Sequence, residues 1–269
     1  MRYSFMSFSC PELNLDEMLS LAKRLGYDGI EPRIDSGHGH GVEVDSDHAF
    51  RREARERAEE GGVAICCVAT SCRMVLRETE RTLEAIDLAG DVGARRVRVF
   101  GGRIPEGMGR DEAIEVVAES LRSVADHAAE RGVVVCLETH DDWCDPEHVA
   151  EVMRKADHPS VGVNWDVMHP VRMGFSTMDT AFRALEPWIR HLHVHDGSRR
   201  TGKLVPIGHG DYDHRRVIEL LLSISYDGYI SGEWINWEDP YEVHLPRELA
   251  TLRRYESEVG SFGKGCMKR

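Results

Sequence analysis

A chain of 269 residues, 41% hydrophobic and 30% charged, has material for one large core or two ordinary ones. Its formal net charge of −13 disfavours a nucleic-acid partner, because affinity for phosphate backbones rests on Lys and Arg. No apolar run is long enough for a bilayer, and the opening MRYSFMSFSCPELNLDE turns acidic too soon for a signal peptide, so a cytoplasmic protein without membrane contact is expected.

Strand-like and helix-like segments alternate from end to end. Tyr3 to Phe8 is β-prone. Asn14 reads as the N-cap of a helix whose apolar residues recur at helical spacing and stop at Gly26. Gly29 to Glu31 is a short strand. Asp45 to Glu60 is a charged helix ended by Gly61 and Gly62. Val63 to Ala69 is the third strand, Glu78 to Leu88 a helix and Arg96 to Phe100 the fourth strand. Asp111 to Arg131 is a long amphipathic helix closed by Gly132. Val133 to Leu137 is the fifth strand, followed by a helix from Pro146 to Ala156 with proline in its first turn. Val161 to Trp165 is the sixth strand, Ser176 to Leu185 a helix, Ile189 to Val194 the seventh strand and His214 to Ser223 a helix. Tyr229 to Ser231 opens the eighth strand, Glu242 to Ser257 is a last helix, and the tail SFGKGCMKR is expected to fray.

Strands alternating with helices imply a parallel sheet. Eight such units without a composition break predict an α/β fold, a closed (β/α)8 barrel in one domain over residues 1–269. An open doubly wound sheet would want a GxGxxG turn after its first strand, and none is present there. The Gly-rich stretches Ser36 to Gly41 and Ile207 to Asp211 follow strands and read as loops on the active face. Seven cysteines without a CxxC pair or zinc-ribbon spacing read as free thiols.

Glu138, Asp166, His193 and Glu233 each close a separate apolar run, in LETH, NWDVMH, HLHVHD and SGEW. A strand buried on both faces has no use for a carboxylate unless something pairs with it. Three carboxylates and an imidazole at the C-terminal ends of strands five to eight suit an oxygen-rich divalent metal site on one rim of the barrel. His191, His193 and His195 share one strand face, so alternation does not choose among them.

At these residues the chain resembles the xylose-isomerase-like superfamily of TIM barrels, which includes sugar isomerases, ketose 3-epimerases, inosose dehydratase-type lyases and an AP-endonuclease branch. The resemblance extends over nearly the whole chain and rests on LETH, NWDVMH, HLHVHD, PIGHGD and GYDGYISGEW in that order. It implies metal ligation by Glu138, Asp166, His193 and Glu233, and it favours His193 among the three histidines. It places His169, in the D-x-x-H pattern with Asp166, toward substrate or ligand. His209 stands where the family often has Glu, which puts the role of that loop in question.

The expected cofactor is one divalent cation, Mn2+ first, with Mg2+, Co2+, Fe2+ or Zn2+ as alternatives. The expected chemistry is proton abstraction next to a carbonyl through an enediolate. The resemblance gives Glu138 and Glu233 the parts of base and acid, and His169 is the alternative, with a pKa near neutrality. Glu31, His140, His169, Arg199 and Lys203 are candidate substrate contacts. Trp143, Trp165, Trp234 and Trp237 are candidates to pack on a sugar face. The expected partner is a small carbohydrate, and pairing into a homo-oligomer through the outer surface is compatible with the fold. Isomerase or epimerase is the leading function. The alternative is a dehydratase or ketoglycoside lyase, and a non-catalytic sugar-binding barrel ranks below both. An AP endonuclease is disfavoured, because no histidine ends the fourth strand and Gly202 and Leu204 stand where that branch has its Asp-x-His pair.

Overall fold

The computed structural model describes the backbone of residues 1–266 and side chains through Ser261. Its main sheet is parallel throughout and closes into the expected barrel. The first strand (Arg2–Met6) pairs with the second (Gly29–Glu31) and the eighth (Tyr229–Gly232). The eighth pairs with the seventh (Ile189–Val194), the seventh with the sixth (Val161–Asp166) and the sixth with the fifth (Val134–Glu138). The fifth pairs with the fourth (Arg96–Phe100).

The third strand is where the structure departs from the even reading of Val63 to Ala69. It is broken into Ala64–Ile65, which pairs with the second strand, and Val68–Arg73, which pairs with the fourth. Between them the Cys66 N–H donates to Ile30 O at 3.0 Å. Ala69 N–H donates to Pro32 O at 2.9 Å, and Ile34 N–H to Ala69 O at 3.0 Å. The two pieces are halves of one strand, and these bonds close the ring.

Local signals place the helices. Asn14 accepts from Glu17 N–H while Glu17 reaches back to Asn14 N–H, a capping box that starts Leu15–Leu25, and Gly26 ends it in the left-handed region. Asp47 caps the second helix, which begins at His48 rather than Asp45 because the cap side chain reaches Phe50 N–H. Thr177 and Thr180 form another box, moving the start of that helix to Met178. The first strand ends at Met6, and Ser7–Ser9 is a 3-10 turn. Two elements carry no signal in the apolar pattern. These are a single turn of helix at His169–Arg172 and a small antiparallel pair, Asp196–Gly197 with Leu204–Val205. The last helix runs Tyr241–Cys266 and takes in most of the tail expected to fray, while 267–269 lie outside the described residues. Cys10, Cys66, Cys67, Cys72, Cys136 and Cys144 are buried free thiols, as expected; the side chain of Cys266 lies outside the described residues. No described helix is long and apolar enough to cross a membrane.

Close packing behind the rim shows at Gly101, just past the fourth strand. A Cβ there would lie 2.2 Å from Trp143, whose indole is fully buried and donates to Gly102 O at 2.8 Å. Gly101→Ala is therefore expected to cost about 2 kcal/mol through forced displacement of the ring. Urea unfolding of the variant checks this, and wild-type stability would mean that the indole yields freely.

Candidate active site

Parallel strands bring their C-terminal ends to one rim, and the pairing sets the level of each side chain. Asp166 lies opposite His193, and His193 opposite Ser231, one residue before Gly232 and two before Glu233. The barrel thereby brings Glu138, Asp166, His193 and Glu233 together: each offers one ligand atom, and these atoms all lie within 4.8 Å of one another. All four residues are buried.

His193 is the hub. Its Nδ1 lies 2.9 Å from Glu138 Oε1, 3.0 Å from the Asn164 side-chain nitrogen and 3.7 Å from Glu233 Oε2. Its Nε2 contacts Glu31 Oε1 at 3.0 Å, and His191 Nε2 contacts the other Glu31 oxygen at 2.7 Å. Two residues along a strand advance about 6.6 Å, so the three histidines of the seventh strand sit at successive depths. His191 lies below with Glu31, His193 faces the cluster, and His195 lies above, its Nε2 2.8 Å from Asp166 Oδ2.

Burial opposes the charge on every one of these groups, and neighbours decide the outcome. It would raise the Glu31 carboxyl, but His191 and His193 hold it well below the usual carboxylate range. Glu138 is likewise pulled down to about 2 by Arg98 and then His193, against burial. Asp166 is lowered by His195 and His169. His193 is raised well above an ordinary imidazole by Glu31, Glu138 and Glu233, again against burial.

At the mouth, His140 and His169 stand with ring centres 4.7 Å apart, and His169 and His195 5.4 Å apart. Burial would lower His140, but the Asp141 carboxylate, 3.1 Å from its Nδ1, and the charge of Glu138 carry it up to about 9. Burial keeps His169 below its ordinary value. One imidazole is thus protonated and its neighbour neutral near pH 7.

Other expected contacts lie elsewhere. Glu31, expected to meet substrate at the rim, is fully buried beneath His193 with both oxygens taken by histidines. Lys203 is 76% exposed and lies 3.6 Å from Glu238, and Arg199 rests over Tyr212. Neither touches the cluster. Three of the tryptophans are fully buried packing residues: Trp143 under Gly101, Trp165 against Phe182 and Trp234 against His244. Trp237 is partly buried and lines a separate cavity of about 380 Å3 with Lys203 and Glu238. His209 is exposed, and its glycine-rich turn is braced by the Asp196 carboxylate, which accepts from Gly208 and Gly210 N–H at 2.8 and 3.0 Å.

Three residues of the site escaped the sequence reading, and a fourth, His195, was one of the three histidines it left open. Arg98 is 1% exposed, with Nε 3.1 Å from Glu138 Oε2 and Nη1 donating to Thr70 O. Arg33, also buried, donates to Ser71 Oγ and Ala69 O. Asn164 touches His193, and His195 touches Asp166. The alternation in RVRVF did not by itself mark Arg98, since a strand with one wet face would carry an arginine in the same way.

The sequence matches the family described as Xylose isomerase-like TIM barrel over residues 19–255, and the chain belongs to that family. A 3-dehydroshikimate dehydratase of Bacillus anthracis is 22% identical over 95% of this chain and 99% of its own length. An L-ribulose-5-phosphate 3-epimerase of Salmonella typhimurium is 25% identical over 81% of each chain. A Xenopus laevis protein named for hydroxypyruvate isomerase is 26% identical over 56% of this chain, which spans 58% of that relative. Among solved structures, an L-ribulose 3-epimerase superposes with a TM-score of 0.82 at 17% identity, covering 100% of this chain and 98% of the other.

Arg98 is the buried counter-charge of Glu138. Removing one partner of a buried pair typically costs about 3 kcal/mol or more. Arg98→Met is therefore expected to lower the unfolding free energy by about that amount when measured with chelator present. A change below about 1 kcal/mol would mean that His193 alone compensates Glu138.

Proposed function

We propose that this chain is a divalent-cation-dependent isomerase or epimerase of a sugar or sugar-like polyol, acting by proton transfer at a carbon next to a carbonyl. The observation that carries this reading is the convergence of Glu138, Asp166, His193 and Glu233 within 4.8 Å in the buried mouth of the barrel. The residues fit a cation. Glu138 Oε2 and Asp166 Oδ2 are buried acceptors that have Arg98 and His195 nearby but no hydrogen-bond partner, so each has acceptor capacity left for a cation. Three carboxylates and one imidazole suit Mn2+ first, with Mg2+, Co2+, Fe2+ or Zn2+ as alternatives. A cation held there supplies Lewis-acid stabilisation of the negative charge that builds on a carbonyl oxygen as the adjacent C–H is lost.

The remaining work falls to the chain. Glu138, from the fifth strand, and Glu233, after the eighth, approach the site from different walls and serve as base and acid. One takes the proton from carbon; the other returns a proton to the opposite face for epimerisation, or to the neighbouring carbon for isomerisation. His169 is held neutral by burial and is the alternative base, while protonated His140 donates to a substrate oxygen. Glu31 positions His193 from below, leaving Nδ1 toward the cluster. Arg199 and Lys203, on the loop after the seventh strand, remain available to an anionic substituent of a larger substrate.

Two observations favour a second reading. The dehydratase relative matches across nearly the full length of both chains, and His140 is a cationic acid at the mouth. The same carbanion formed next to a carbonyl can expel a β-hydroxyl if an acid protonates the leaving oxygen, giving water and an enone. Glu233 or Glu138 would take the carbon proton and His140 would give the oxygen one.

Incubation with Mn2+ in D2O and a panel of ketoses, keto-polyols and keto acids, read by NMR, tests both. Deuterium in recovered or epimerised sugar is expected, reduced about 100-fold or more in Glu233→Gln and lost on chelation. A product short of one water would select the dehydratase reading. No exchange on any substrate by protein with bound metal would overturn the proposal. Glu31→Gln is expected to weaken Mn2+ binding by about 10–100-fold in calorimetry without unfolding the protein, since it removes an acceptor that orients His193. Unchanged affinity would show that Glu31 plays only a structural part.

A further inference from the structure

We infer that the end of the barrel opposite the cluster binds a phosphate group, held by Arg2, Arg95 and Arg96 where the third and fourth strands part. The ladder between those strands begins only at Val68 and Val97, so Ala64–Ile65 pairs with the second strand alone. A cavity of about 480 Å3 lies at this gap, with Cys66 on its wall from one strand and Arg95 and Arg96 from the other. Arg2 and Tyr229, from the first and eighth strands, also line it. Arg96 pairs with Val134, four residues before Glu138, so the cavity lies about 13 Å down the barrel from the cluster.

In a chain of net charge −13, carboxylates meet arginines readily, as at Arg51, Arg81 and Arg131. At this end they do not. Arg2 donates from Nε and Nη2 to Asp227 O at 2.9 and 2.7 Å, and Arg96 from Nε to Arg190 O, both backbone carbonyls. Among the described residues neither of these nor Arg95 forms an ion pair, and the Nη groups of Arg96 have no partner. Arg96 shares a strand face with Arg98 and is half-buried, and the titratable groups facing it, Cys136, Tyr226 and Cys66, are kept neutral by burial. A guanidinium drawn out of water without a counter-charge is costly, and an anion from solution supplies one. The planar fork of the guanidinium matches two oxygens of a single anion.

The charge of the wall selects the ligand. Three arginines against one acid, Asp227, leave a surplus of two positive charges, which suits a dianion. Arg2 is fixed over the Tyr229 ring, 4.5 Å from its centre. An adjoining cavity of about 360 Å3 shares Arg2, Ala64, Ile65, Gly93 and Tyr229, which gives room for the rest of a small phosphorylated metabolite. Arg55, on that second wall, is already paired with Glu59 at 2.8 Å.

Calorimetry with inorganic phosphate in low-salt buffer, on the full chain with chelator present so that no cation captures the anion, tests this. One equivalent is expected to bind, more weakly as KCl is added. Arg96→Gln and Arg95→Ala are each expected to lower the affinity about 10-fold or more, since each removes a charge-assisted contact. Arg95 is exposed, so its variant guards against a folding defect in the other. Arg199→Ala, at the opposite end of the barrel, should bind as the wild type does. Wild-type affinity in both Arg96→Gln and Arg95→Ala, or loss of binding in Arg199→Ala, would put the anion elsewhere and overturn the site. Absence of binding at millimolar phosphate would overturn it as well. Acetate bound as tightly as phosphate would overturn the assignment to a dianion.

Discussion

The interior of this barrel depends on one chain of buried polar contacts running from His191 through Glu31, His193 and Glu138 to Arg98. Its members come from the seventh, second, fifth and fourth strands. A charge taken out of water is costly unless it meets an opposite charge in good geometry, so each link is a condition on the position of its neighbours. Removing any one leaves another stranded. The network thus fixes the register of strands that are otherwise held by interchangeable apolar packing. It also fixes the orientation of His193, which cannot turn without abandoning both Glu31 and Glu138.

Depth, rather than residue type, separates the roles of the seventh-strand histidines. His191 and Glu31 form the floor, His193 faces the cluster and His195 stands over Asp166. The same imidazole responds differently at each level: burial prevails over Glu31 for His191, whereas carboxylates prevail over burial for His193 and His195. At the mouth the two outcomes recur side by side, burial prevailing for His169 and carboxylates for His140. One side-chain type thus takes different protonation behaviour at each level, set by its neighbours.

What could be read from the chain beforehand follows from what apolar patterning encodes. Glu138, Asp166, His193 and Glu233 stood out because each interrupts an apolar run that a doubly buried strand requires. The helices were legible through Asn14, Gly26 and Pro146, whose chemistry is local. Arg98 was not, because RVRVF reads equally well as a strand with one wet face, and only barrel closure shows that neither face is wet. The depth of Glu31 could not be read, because alternation gives the face and says nothing of depth. The break at Cys66 and Cys67 was invisible for a different reason. It reflects a strand whose neighbours on its two sides demand different registers, a tertiary requirement with no signature in VAICCVA.

Placement on strands or loops divides the residues further. Every member of the central cluster belongs to a strand or to the residue after one, where backbone pairing holds it to at least one neighbour. Arg199, Lys203 and His209 sit on the long connection after the seventh strand, exposed and clear of the cluster. That connection is nevertheless not free. Asp196 gathers the N–H groups of Gly197, Gly208 and Gly210, and a Cβ on Gly210 would lie 2.0 Å from its oxygen. Glu248, from the last helix, accepts from Ile207 N–H. A buried carboxylate that ties three amides makes the turn part of the rigid frame, so variation in substrate must be met by the side chains it carries. On the proposed reading, the reaction would belong to the strands and the choice of substrate to the side chains of the rim, as is usual for functional residues carried on the loops of a rigid barrel.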